Sequence, residues 1–366
     1  MDCISMNNKS LNITVIGAGN GGQAIAAHCA IMGFPVCLYN RNIDKLGSVL
    51  KTREIELYGV ITGKGILNSI TSNIKEAVAF ADIILIATTA TAHASLASMM
   101  APFLRDGQII ILNPGRTGGL LEFKNVLCTL NKTAHIYIGE AQTLMYACRK
   151  VSEGKVHIIG LKDKVLLSSD TKDNLHYILN RVKLLYSCFC EAKNLLHTSL
   201  ENIGAIFHPC VILFNAAAIE RGSLFYFYRE MTPTIADFIQ KVDAERLAIG
   251  KAYNIDLISA TEWVSYAYPG TTGSTLCEKM KNNPAYYDIL APTTIYTRQL
   301  MEDIPTGLCP MSELGKLAGV NVCLMDSIID ICSSLLNVDF RRNGRSLQTL
   351  GLNGMNASDI INAFSI

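Results

Sequence analysis

What the chain has little of sets its limits first. It has one tryptophan in 366 residues, and its twelve cysteines include no Cys-x-x-Cys pair. Tetrahedral zinc needs clustered thiolates or imidazoles, so no zinc site organises the fold. Cys188 and Cys190 form the only close pair, and many of the other cysteines sit in apolar runs, where a free thiol behaves as a small hydrophobe. This usage fits a reducing, cytoplasmic compartment. Net charge is also missing, because 32 Lys+Arg oppose 31 Asp+Glu and leave +1. No global field exists to attract nucleic acid or anionic lipid. A membrane-length apolar run is absent too. The longest stretch, 205–219, is interrupted by His208, Pro209 and Asn215 and falls short of the ~20 residues a spanning helix needs. Residues 1–10 are polar, lack the apolar core of a secretory signal, and read as a flexible lead. Repeats and low-complexity segments are lacking.

What is present is enough for two domains. The chain of 366 residues exceeds the ~250–300 at which single cores stop growing. With 49% apolar and 17% charged residues it can bury large cores. A mean hydropathy of +0.26 fits such cores, or a buried subunit interface, so a homodimer is left open.

Residues 11–195 alternate β-branched runs with helical patterns. Strands are expected at 12–16, 34–39, 83–87 and 108–112, and helices at 22–32 and 92–103. Continuous apolar runs of five suit parallel strands covered on both faces. The alternation predicts an α/β fold with a doubly wound, Rossmann-type sheet. Gly59, Gly63 and Gly65 between β-branched residues make 53–73 an antiparallel hairpin inserted in that sheet. Residues 196–366 change to spacings of three and four and read as an all-helical domain, with loops at 268–274 and 286–294.

The run Gly17-Ala18-Gly19-Asn20-Gly21-Gly22 follows the first strand and opens the first helix. GxGxxG in a strand–turn–helix context is a dinucleotide fingerprint. Gly17 makes the turn, Gly19 admits a pyrophosphate to the backbone, and Gly22 lets helix and sheet approach. The phosphates then face free N–H groups at the helix start. An acidic residue at the end of the second strand would serve the ribose of NAD. Asn40 and Arg41 stand there instead, and Arg41 suits the 2′-phosphate of NADP. Asp44, a few residues on, keeps NAD possible.

Two further segments carry chemistry. His208 is followed by Pro209, which suits the first turn of a helix, and it would project from that helix start as an acid–base group. Taken alone, a buried, satisfied histidine explains it better. Arg298 and Asp303 lie five apart, just before Pro305 and Gly307. Asp303 can orient a histidine and Arg298 can grip a carboxylate, although an exposed helical ion pair accounts for the same spacing.

Together these segments resemble a known family. GAGNGG, NPGRTGGLLEF (113–123), EAQTLMYACR (140–149), FHP (207–209) and RQLMEDIPTGL (298–308) are similar, in order, to the octopine/nopaline (opine) dehydrogenase family. The resemblance implies a helical C-terminal domain like that of 6-phosphogluconate dehydrogenase, with substrate in the cleft between domains. It implies NAD(P)H-dependent reductive condensation of an α-keto acid with the amino group of an amino acid. It further implies His208 as the acid–base residue, Asp303 as its partner, Arg298 as a carboxylate ligand and Thr143 at the keto-acid site.

Other features stay open. Asn113–Arg116 is either a loop near the nicotinamide or a plain turn. Phe225–Tyr228 lines the amine pocket or a dimer interface. Tyr146 and Arg149 touch substrate or support the cleft, and Trp263 suits a core anchor. Two other functions share the glycine turn. A ketopantoate or β-hydroxyacid reductase would need a catalytic lysine in the helical half, where none stands out. A non-catalytic NADP sensor would have no use for His208 and Asp303.

Overall fold

The computed structural model describes residues 11–130, 132 and 134–364, so the polar lead at 1–10 lies outside it. The strands are β1 (Ile13–Ile16), β2 (Val36–Tyr39), β3 (Glu54–Gly59), β4 (Gly63–Ile66), β5 (Ser69–Thr71), β6 (Ile83–Ile86), β7 (Ile109–Leu112), β8 (Tyr137–Ala141), β9 (Tyr146–Ser152), β10 (Lys155–Leu161), β11 (Val165–Ser169) and β12 (Phe189–Glu191). Eight of them form the main sheet in the order β12-β11-β8-β7-β6-β1-β2-β5. Its centre is parallel, with β1 between β2 and β6 and β7 between β6 and β8; β8 and β11 run antiparallel. The central runs ITVI, VCLY, IILI and IIIL are buried at every position, as a sheet covered on both faces requires.

The hairpin at 53–73 is a correction. β3 and β4 do pair antiparallel, Glu54 opposite Ile66, but they belong to a separate four-stranded sheet, β4-β3-β10-β9. Only β5 of that stretch joins the main sheet, beside β2. The parallel partner of β3 is β10, about a hundred residues away, so no local pattern could announce it. Helix α1 (Asn20–Ile31) packs against this second sheet and begins two residues earlier than expected, at the glycine turn itself.

After β12 the described chain is helical apart from an isolated bridge between Tyr226 and Leu290. The longest helix, Pro233–Ala252, lies against Ile203–Phe214 and Cys309–Leu317. One buried apolar cluster runs from Ile84 and Ile110 on the sheet through Phe123 to Ile206 and Ile329 in the helical part. The other sheet face holds its own core, including Val15, Leu85 and Ile158. Polar ties reinforce the junction. Buried Glu140 on β8 accepts from Leu120 N–H and from the hydroxyls of Thr198 and Ser199. Arg345 reaches back to the carbonyls of Gly115 and Thr117 at 2.9 and 2.8 Å and to Glu122 at 2.9 Å. Among the described residues, no helix is long and apolar enough to cross a membrane.

Candidate active site

A cleft of about 670 Å³ opens where the carboxyl ends of the sheet strands face the helical part. Its wall takes Gly17–Gly21 after β1, Ala87–Thr89 after β6, Asn113, Pro114 and Arg116 after β7, and Gln142–Leu144 after β8. Ligands of open α/β sheets bind at this edge.

The glycine turn is shaped by contact. Gly17 has φ +104°, and a Cβ on Gly22 would lie 1.7 Å from the Gly17 carbonyl oxygen. A Cβ on Gly19 would meet nothing within 4 Å, so open space fronts the backbone there. Ala18 N–H donates to Asn40 Oδ1 at 3.2 Å, and Asn20 Oδ1 accepts from Lys150 N–H at 3.2 Å, stitching α1 to β9. Gly21 packs on the Leu144 side chain. Asn40 lines the cleft, and Arg41, next to it, is exposed to solvent. Lys162, 7% exposed, also lines the wall and donates to the Leu144 carbonyl at 2.6 Å. Arg149, Tyr146 and Thr143 complete this side.

The opposite wall carries His208. The structure corrects its placement: it lies in the middle of the helix Ile203–Phe214, not at a helix start, and Pro209 is inside that helix. Proline there forgoes one backbone hydrogen bond, which a helix packed on nearly all sides tolerates. His208 Nδ1 is 2.6 Å from Asp303 Oδ2, although 95 residues separate them in sequence. Its Nε2 is 2.8 Å from the Tyr228 hydroxyl. Asp303 is fully buried, between the short helix Arg298–Met301 and the π-turn Ile304–Leu308.

Buried charges hold this assembly. Arg116 Nη2 lies 3.4 Å from Asp303 Oδ1 and 3.6 Å from Glu302 Oε2, and Nη1 donates to Asn202 Oδ1 at 3.2 Å. Glu302 accepts from Ala90 N–H at 2.9 Å and from Arg298 Nη1 at 2.9 Å. Arg298 therefore makes the helical ion pair with Glu302, not Asp303, yet its side chain stays 53% exposed and lines the cleft. Gly204, one turn before His208, makes the packing possible. A Cβ there would stand 2.9 Å from Arg116 Nη1 and 3.2 Å from His208 Cε1.

The electrostatics follow. Burial opposes the charge of Asp303, but Arg116, and then His208, hold its carboxyl down at about 2. Burial likewise works against the Arg116 cation, and Asp303 and Glu302 more than offset it. Burial pushes the Tyr228 phenol up. With Asp303 ionised, Nδ1 of His208 donates to it, and in the neutral imidazole Nε2 accepts from the Tyr228 hydroxyl. The site can thus present a proton-exchanging group beside two guanidinium ions.

Three of its members had weak signals in the sequence. Arg116 stood in a Pro-Gly turn, Glu302 beside the more conspicuous Asp303, and Tyr228 in an aromatic run. That run divides: Phe227 and Tyr228 line the cleft, and Tyr226 stacks on the Arg229 guanidinium, 3.4 Å from its ring centre. Trp263 is nearly buried and lines the cleft as well.

Comparisons with known proteins bear on the family and the fold. A family model described as NAD/NADP octopine/nopaline dehydrogenase, alpha-helical domain, matches residues 191–336, and one for the N-terminus of NAD-dependent glycerol-3-phosphate dehydrogenase matches 12–127. An opine dehydrogenase of Arthrobacter sp. (strain 1C) is 37% identical, over 97% of this chain and 99% of that protein. Vitopine synthase of Allorhizobium ampelinum is 26% identical over 96% and 99%. A solved octopine dehydrogenase in complex with NADH and agmatine superposes with a TM-score of 0.79 at 20% identity, over 96% of this chain and 98% of that one, a likeness of fold. On the near full-length match to the Arthrobacter enzyme, this chain belongs to the opine dehydrogenase family, NAD(P)-dependent oxidoreductases that act on a CH–NH bond.

Proposed function

We propose that His208 and Asp303 serve a reductive condensation in which an α-keto acid such as pyruvate joins the amino group of an amino acid, giving an N-(carboxyalkyl)amino acid. The observation that carries this reading is the 2.6 Å contact of His208 with a buried, ionised Asp303 inside the cleft that the glycine turn opens.

The residues present fit a nicotinamide dinucleotide. Open space fronts Gly19, α1 begins at that residue's side, and Lys162 and Arg149 line the same cleft. When bound, the cofactor supplies the hydride that reduces the imine carbon. Arg41 at the tip of β2, with no carboxylate at 40–42, supports NADP, and NAD is also accommodated.

The chain's own groups do the rest. His208 exchanges the proton that amine attack and water loss require, and Asp303 fixes its tautomer and stabilises the imidazolium. Arg298, half-exposed at the cleft, binds a substrate carboxylate, and Thr143 lines the keto-acid end. Eleven cysteines are free among the described residues, which supports a cytoplasmic setting.

The test is a matrix of keto acids and amino acids, each run with NADPH and with NADH, following absorbance and product mass. Cofactor oxidation that requires both substrates and yields the coupled product is expected. Oxidation with a keto acid alone would instead mark a simple ketone reductase.

A further inference from the structure

The imidazole of His208 has one nitrogen left for chemistry, because Asp303 holds Nδ1 at 2.6 Å. That remaining nitrogen does not face open cleft. The Tyr228 hydroxyl sits on it at 2.8 Å. The phenol is 8% exposed, and its ring is stacked on Tyr286, with centroids 4.3 Å apart and planes 20° from parallel. Phe227 meets it edge-on at 4.7 Å. Tyr228 belongs to a segment pinned to a second one, since Phe227 N–H donates to Ile289 O and Ala291 N–H to Phe225 O, each at 2.8 Å. Tyr228 and Tyr286 both line the cleft. A ring held on two sides in this way does not swing aside without losing its stacking.

We propose that Tyr228 is a further catalytic residue, the group whose hydroxyl touches the reacting substrate and relays protons between it and His208 Nε2. The proposal rests on the condensation reading above. As the amine attacks the keto carbon, its N–H bond breaks and the proton passes to the phenol oxygen. The phenol's own hydrogen moves to Nε2 in the same event. The phenol ends unchanged, and the positive charge rests on the imidazolium beside Asp303. For water loss the relay runs backward. The imidazolium returns its proton through the phenol to the former keto oxygen, giving the neutral carbinolamine. The amine's second proton then takes the same route from nitrogen to that oxygen, so that the hydroxyl leaves as water and the C=N bond forms. No oxidant or reductant enters these steps. The charges that face the phenol from neighbouring elements are those of Arg116, Arg298 and Asp303, and the Tyr268 phenol lies near it as well.

The experiment compares wild type with Tyr228→Phe, which keeps the stacked ring and removes the hydroxyl. NADPH binding, read by fluorescence titration, reports whether the cleft is intact, and it should stay within about twofold. Turnover of the keto acid and amine pair should fall by ~10²-fold, in the range of positioned proton transfer. A merely structural tyrosine would leave kcat and its solvent isotope effect unmoved. If Tyr228→Phe turns over at the wild-type rate or faster, the phenol is a plug that substrate displaces and the relay is wrong. Fluorotyrosine at 228 settles the case in which phenylalanine disturbs the fold: a shifted pH profile supports the relay, and an unchanged one overturns it. A wild-type protein inactive on every pair would instead defeat the condensation reading, so the two failures are distinct.

Discussion

The two walls of the cleft are built by opposite means. The wall at the glycine turn uses backbone: contiguous residues, a positive φ at Gly17, and the absence of side-chain atoms at Gly19 and Gly22. The His208 wall uses side chains from segments spread over two hundred residues, held by buried ions of both signs. Where the backbone folds on itself, as at Gly22, such a site tolerates no added atoms. A side-chain site tolerates reshaping but not the loss of a charge. One wall is therefore written as a motif and the other as a set of long-range contacts.

Substitutions can break this contrast in order of severity. The harshest is Gly22→Ala, whose Cβ would overlap the Gly17 carbonyl. It should abolish cofactor binding or folding of the turn, which titration with NADPH and circular dichroism will separate. Next comes His208→Asn. Turnover should fall by ~10²–10⁴-fold while NADPH affinity stays near wild type; full activity would remove His208 from the mechanism. Arg116→Gln leaves Asp303 and Glu302 with too little positive charge in a buried setting. It should cost about 3–5 kcal/mol in urea unfolding, and a stability equal to wild type would show that Arg298 alone balances the two carboxylates.

Acid sharpens the same comparison. The Asp303 carboxyl is lowered from 3.8 to about 2 in the folded protein. Its contribution is thus complete above pH 3.8 and is lost as pH falls toward 2. A shift of this size corresponds to about 2 kcal/mol. The unfolding free energy should fall less steeply with acid over that window in Asp303→Asn than in wild type. The smallest effect is expected at Arg41→Ser, with a loss of ~10-fold in NADPH affinity and little change for NADH. Equal losses for both cofactors would mean that Arg41 does not read the 2′-phosphate.

How much of this was legible in the sequence follows from range. The glycine turn and the parallel strands are local, so spacing and runs such as IILI expose them. The second sheet is not local: β3 lies beside β10 across about a hundred residues. His208 and Asp303 were found together through a resemblance between whole motifs, since neither shows its partner in its own neighbourhood. Pro209 misled, because a proline that suits a first turn also survives inside a well-packed helix. Arg116 and Tyr228 stand only in a Pro-Gly turn and an aromatic run, neither of which names a partner. Their roles come from what they touch.

The reach of Arg345 has a consequence for synthesis. Its guanidinium fastens the carbonyls on either side of Arg116 to a residue about 230 positions later in the chain. A ribosome that has released the whole parallel sheet has therefore made the shell of a nucleotide site but not a finished catalyst. The loop carrying Arg116 gains its anchor only once Arg345, about 230 residues further on, has emerged, so a nascent chain has no settled proton-transfer machinery before then.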